Sequence, residues 1–155
     1  GPLQKPLAAL IDELGLQPEV QLAGACTQQE LRQVLTQADI FALTPFVTDD
    51  GDRDGVPTVL VEAMACGKPV ISTTVVGVPE LVTHEVNGLL TAPHDVAGIT
   101  TALATLLDDA AKRRQLGRAA RDTVVNHFDL HAGALQLAKL YTTMAARTAA
   151  AGGNA

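Results

Sequence analysis

Asp54-Gly-Val-Pro-Thr-Val-Leu-Val-Glu62-Ala-Met-Ala-Cys-Gly67-Lys-Pro-Val-Ile71 holds a loop end, a helix and the start of a strand in one run. Pro57 suits the first turn of a helix, where its missing N–H has no intrahelical partner to lose. The apolar run continues to Cys66, and Gly67 stands at the C-terminal cap position. Residues 68–73 then read as a strand. Two carboxylates, Asp54 and Glu62, lie eight residues apart. Asp54 precedes a glycine at the helix entrance, and Glu62 sits about two turns inside. Gly55 removes side-chain bulk where a ligand could meet backbone. The free amides at a helix start, reinforced by the helix dipole, favour an anion such as a diphosphate. The apolar neighbours of Glu62 predict that it is buried. A buried carboxylate needs partners, and the vicinal diol of a ribose or hexose would supply them.

On the N-terminal side, residues 39–44 read as a buried strand, followed by a loop rich in Asp and Gly over 45–55. Residues 4–14 have helical spacing at Leu7, Leu10, Ile11 and Leu14, stopped by Gly15. Residues 19–22 read as a short strand ending at Gly24. Thr27-Gln-Gln-Glu30 fits a capping box, and the helix it opens places Leu31, Val34, Leu35 and Ala38 on one face. On the C-terminal side a short helix is expected over 79–82, a turn at Asn87-Gly88 and a strand over 89–91. Asp95 caps a helix with Val96, Ile99, Leu103 and Leu106 inward. Two more helices follow. The first, over 110–125, carries Arg113, Arg114, Arg118 and Arg121. The second, over 129–146, buries Leu130, Ala134, Leu137 and Tyr141. Short strands alternating with helices predict an α/β fold: a Rossmann-like parallel sheet with helices on both faces. Ligands in such sheets sit beyond the carboxyl ends of the strands, which points to the loop 45–55.

The chain has 155 residues, enough for one domain with one core. The domain is expected over 1–145, with 146–155 a disordered tail. A net charge of −6 argues against nucleic acid as a partner, and so do three Phe and one Tyr. No apolar run approaches the roughly 18 residues of a membrane span. Cys26 and Cys66 match no zinc or redox spacing, and so few cysteines fit a cytoplasmic protein. Ser72, the one serine, sits in no nucleophile elbow. Neither G-x-G-x-x-G nor a P-loop occurs.

Asp50-Gly-Asp52-Arg-Asp54-Gly55 begins like a calcium loop, but its twelfth position is Val61 and Glu62 misses by one. No metal is therefore assigned. Asp49, Asp50 and Asp52 read as a solvated loop. His84, His94, His127 and His131 read as structural or exposed, with Asp129 a helix cap between the last two. Lys68 reads as a solvated charge at the strand entry. Glu80 is open between bracing a loop and touching a donor.

The segment from Asp54 to Val70 resembles the acidic motif of the retaining nucleotide-sugar glycosyltransferases of group 1: Glu, seven residues, Glu, then Ala-Met-Ala-x-Gly-x-Pro-Val. Asp54 replaces the usual first Glu and shortens its reach by one methylene. Other matches follow in order: Gly1-Pro2-Leu3, Leu14-Gly-Leu16 with Val20-Gln-Leu-Ala-Gly24, Ala38-Asp-Ile-Phe-Ala-Leu43, Gly77-Val-Pro-Glu-Leu-Val82, Asn87-Gly-Leu-Leu90 and Phe128 with Tyr141. Val76 replaces a common Gly. The resemblance implies the C-terminal, donor-binding half of a GT-B fold. It implies a nucleotide-diphosphate sugar as donor substrate, no cofactor, and transfer of a hexose with retention.

By the same resemblance Glu62 holds the donor ribose, and Asp54 contacts the sugar. Gly55, Val56, Pro57 and Thr58 present amides to sugar and phosphate, and Gly24, Ala25 and Cys26 lie beside the nucleobase. It further implies two strands and a basic pair upstream of Gly1, and an acceptor domain beyond them. If Gly1-Pro2 is native rather than a tag remnant, the strands at 19–22 and 39–44 would flank that missing pair. Their open edges would invite an oligomer, and the chain alone would be inactive. A lipid-linked acceptor, with peripheral contact to the cytoplasmic membrane face through the arginine-rich helix, is the further expectation. A solvated face is the plainer account of those arginines. Two other functions stay open: a non-catalytic nucleotide-sugar or partner module, and an epimerase or phosphorylase of the same architecture.

Overall fold

A computed structural model describes residues 1–47, 55–75 and 77–152. The loop aspartates 49, 50, 52 and 54, and Val76, lie outside the described residues. The helices are α1 (Gln4–Glu13), α2 (Gln28–Gln37), α3 (Thr58–Ala65), α4 (Val78–Leu81), α5 (Val96–Asp108), α6 (Ala110–His127) and α7 (Leu130–Gly152). The strands are β1 (Phe41–Ala42), β2 (Val70–Thr73) and β3 (Leu89–Thr91). The chain divides into two compact units, Gly1–Gln37 and Ala38–Ala155, where the sequence predicts a single domain.

In the first unit α1 ends at Gly15, which takes φ +65°. Its apolar face forms but is not buried, and Leu7, Leu10 and Leu14 are all exposed. The expected strand at 19–22 does not form. The Glu19 and Val20 amides donate to the Leu16 carbonyl in a turn, so they are unavailable to a strand neighbour. The capping box forms as predicted. The Thr27 amide donates to Glu30 Oε2 at 2.7 Å, and the Glu30 amide donates to Thr27 Oγ1 at 3.3 Å. Both Thr27 donors to Glu30 hold its carboxyl below the usual carboxylate range, the backbone one most. Of the expected α2 face, Leu35 is buried and Val34 is exposed.

The second unit contains a parallel sheet in the order β1-β2-β3, with Phe41 beside Val70 and Ile71 beside Leu89. All four residues of β2 are buried, which requires cover on both faces. β1 is shorter than the predicted 39–44, and Ala42 and Thr44, two residues apart on one face, are exposed. Ser72 Oγ donates to the Leu43 carbonyl and Thr73 Oγ1 to the Pro45 carbonyl, so β2 side chains extend the pairing past the end of β1. The core cluster is Ile71, Leu89, Ala102, Leu106 and Leu116. Each fully buried aliphatic side chain contributes about 1.5–3 kcal/mol.

Asp95 caps α5 as predicted, accepting from the Gly98 amide at 2.8 Å. Val96, expected inward, is 76% exposed, and Ala102 takes the core position. Asn87 is more than a turn residue. It is buried, its Oδ1 accepts from the Thr83 amide, and its Nδ2 donates to the Leu81 carbonyl and to Thr123 Oγ1. Asp129 caps α7 through the Ala132 amide. The expected buried face of α7 is overturned. Leu130, Ala134, Leu137 and Tyr141 are all exposed, because no other element of the described chain covers them. The helix also runs to Gly152, seven residues into the stretch expected to be disordered; its alanines favour helix. Among the described residues no helix is long and apolar enough to cross a membrane.

Candidate functional site

The site builds from α3. Pro57 occupies its N-cap in extended conformation, φ −64° and ψ 121°, and offers no side-chain cap to the turn. The first bond of the turn joins the Leu60 amide to the Pro57 carbonyl. The Thr58 and Val59 amides precede that bond, so they have no intrahelical acceptor. Thr58 is exposed and Val56 and Pro57 are half-buried, so this end faces solvent. Helix ends of this kind favour anions.

The other end of α3 is closed. Gly67 takes φ +70°, its amide donates to the Met64 carbonyl, and the Lys68 amide donates to Ala63. This double bond pattern is a Schellman cap. Leu60, Ala63 and Met64 are fully buried, which fixes the rotation of the helix. That rotation leaves Glu62 half-buried rather than buried. Among the described residues no hydrogen bond reaches its carboxylate.

Gly55, Val56, Pro57, Thr58 and Glu62 thus lie along one helix and its entrance, as the sequence predicts. Asp54 lies outside the described residues. Gly24, Ala25 and Cys26 belong to the first unit. Gly24 takes φ +74°, and Gly24 and Ala25 line a groove of about 690 Å³ with Gly1, Pro2, Leu3, Leu7 and Leu22 among its walls. Cys26 is exposed.

Several of the remaining candidates make structural contacts. His84 Nδ1 accepts from the Leu90 amide at 2.9 Å. The His94 ring lies tilted against Phe46 at 52°, with ring centroids 4.7 Å apart. Arg113 donates to the Leu106 and Leu107 carbonyls at the end of α5. Lys112 pairs with Glu85 at 3.1 Å, which holds the Glu85 carboxyl below its ordinary range. Glu80 is exposed in the first turn of α4.

The sequence model of the family described as glycosyl transferases group 1 matches residues 1–123. The chain belongs to that family. Among group 1 relatives, the amylovoran biosynthesis glycosyltransferase AmsK of Erwinia amylovora is 36% identical over 145 residues, which is 94% of this chain and 36% of AmsK. The solved sucrose-phosphate synthase of Thermosynechococcus elongatus superposes with a TM-score of 0.80 at 30% identity, over 95% of this chain and 35% of that one. HepE of Anabaena, solved in complex with UDP-glucose, gives a TM-score of 0.78 at 29% identity, over 90% of this chain and 36% of HepE. The fold is therefore the parallel α/β domain of GT-B glycosyltransferases. The chain spans about a third of the length of these group 1 relatives.

Proposed function

We propose that this chain is the donor-binding part of a retaining glycosyltransferase that moves a hexose from a nucleotide-diphosphate sugar to an acceptor hydroxyl. The observation that carries the reading is Glu62, whose carboxylate takes no hydrogen bond from the described residues, on the helix whose exposed first turn follows Pro57. Glu62 accepts hydrogen bonds from the ribose hydroxyls. The amides of Thr58 and Val59 face the diphosphate. Gly55 and Val56 approach the sugar, with Asp54 its carboxylate contact. Gly24, Ala25 and Cys26 lie beside the base.

In transfer the bond from the anomeric carbon to the diphosphate oxygen breaks, and negative charge grows on the leaving diphosphate. Amides fixed at a helix start stabilise that charge without reorganising. A bond from the acceptor oxygen forms on the same face of the sugar, and the hydroxyl proton leaves with the diphosphate. Positioning of donor and acceptor supplies much of such a rate, so transfer requires an acceptor-side domain as well. HepE was solved with UDP-glucose, which supports a nucleotide sugar as ligand here. The test is calorimetry of the chain with UDP-glucose and with GDP-mannose. Saturable binding of one of them is expected, and binding of neither sugar nucleotide nor of UDP or GDP would overturn the reading. The anomeric configuration of the product, read by NMR from the chain joined to an acceptor domain, tests retention.

A further inference from the structure

We infer that Gly77 is a positioning residue for the donor loop: its bare α-carbon lets the turn after β2 touch the Gly55–Val56 backbone and so sets where that backbone meets the sugar. The inference rests on the donor-site reading above. Gly77 is buried and takes φ +90°. A Cβ added there would stand 2.7 Å from both the carbonyl carbon and the oxygen of Gly55, and 3.0 Å from the Val56 nitrogen. These are backbone atoms, so no side-chain rotation relieves the clash.

The two sides of this contact differ in freedom. The turn after β2 is anchored. The Thr74 amide donates to the Thr91 carbonyl, the Val78 amide donates to the Val75 carbonyl, and Val75, Val78 and Leu81 are buried. Gly55 is exposed, with nothing within 4 Å of the position a Cβ would take. An alanine at 77 therefore moves Gly55 and Val56 rather than the turn. Ordinary contact begins at 3.4 Å, so the shift is about 0.7 Å, larger than the roughly 0.5 Å a binding constellation tolerates. Glu62 does not follow, because Leu60, Ala63 and Met64 hold α3 in the core. Contacts to the sugar are lost while contacts to the nucleoside remain.

The experiment compares the chain with its Gly77→Ala variant by calorimetry, using UDP-glucose and UMP, or GDP-mannose and GMP if the unaltered chain prefers that base. The variant is expected to bind the sugar nucleotide at least about tenfold more weakly, the scale of a sub-ångström misplacement, with monophosphate binding nearly unchanged. Equal weakening of both ligands, or of neither, would overturn the inference alone. Gly67→Ala controls for backbone strain: Gly67 also takes positive φ, +70°, but its nearest atom to an added Cβ is 3.8 Å away. It is expected to bind both ligands as the unaltered chain does, and selective loss of the sugar nucleotide in this variant too would assign the effect to strain and sink the proposal. Should Gly77→Ala fail to fold, Gly77→Asn replaces it, since Asn is among the side chains that meet positive φ at least cost and carries the same Cβ; the same split is expected. An unaltered chain that binds no nucleotide at all overturns the donor-site reading and this inference together.

Discussion

Arg121 of α6 donates its Nη1 to the carbonyl oxygen of Ala65, the last residue of α3, 56 positions earlier in the chain. Ala65 is among the carbonyls that a helix end leaves without an intrahelical donor, and a cation there also favours the helix dipole. The same helix sends Arg113 to the end of α5. These two arginines close helix ends, which accounts for them without a membrane surface. Arg121→Ala is expected to lower stability by about 1 kcal/mol, since the bond is charged but exposed. Urea unfolding followed by circular dichroism checks it, with Arg121→Lys retaining part of the loss.

Glu62→Ala is expected to weaken nucleotide-sugar binding by about 1–3 kcal/mol, the usual cost of removing a charged hydrogen-bond partner. The fold should tolerate the change, because Glu62 is half-buried and makes no bond to the described residues. Unchanged affinity in a variant with an unchanged melting temperature would move the ribose contact elsewhere.

Donor binding is expected to be independent of divalent metal. The closing ligand of the calcium-like run falls on Val61, an apolar residue in the middle of α3, and a helix cannot shift by one residue to offer Glu62 instead. Titrations in excess chelator and in added calcium should coincide. Affinity lost in chelator and restored by calcium would revive the cation reading.

The capping box should make α2 acid-sensitive. Glu30 has its carboxyl held below the usual range near 4.5, first by the Thr27 amide and then by its hydroxyl. A depressed folded-state pKa stabilises the fold above the ordinary value and is lost as pH falls through the folded one. Amide exchange in α2 should therefore be slower in the parent than in Glu30→Gln at pH 7. The difference should vanish once pH has fallen through the lowered folded-state value. A gap that persists in acid would show that the carboxylate is not the cap.

Local signals in the sequence were legible where one residue type forces one backbone state. Gly67 closes α3, Asp95 caps α5, and Thr27 with Glu30 opens α2, all as the sequence implies. The segment holding Glu62 was legible for the same reason, since a proline entrance and a glycine exit bracket one helix. What stayed hidden depends on partners far along the chain. The alternation at Glu19–Leu22 promises a strand, yet a strand exists only with a neighbour, and the Leu16 carbonyl takes its amides first. The period of Leu130, Leu137 and Tyr141 promises a buried face, but periodicity describes an amphipathic helix and not what covers it. The degree of burial of Glu62, and the approach of Gly77 to Gly55, depend on how elements rotate against each other.

The three strands run the same way, so every loop that leaves a carboxyl end opens on one side of the sheet and every returning helix closes on the other. Gly67, Lys68 and the Arg121–Ala65 bond stand at the amino end of β2, whereas Gly55 and the Gly77 turn follow carboxyl ends. Mutational tolerance is thereby partitioned. On the donor-site reading proposed above, a substitution at Gly55 bears on the sugar without disturbing the helix closures at the other end of the sheet. A library randomised at Gly55, which is exposed with open space for a side chain, should consequently keep a larger fraction of folded clones than one of equal size at Gly77, where a Cβ meets backbone at 2.7 Å.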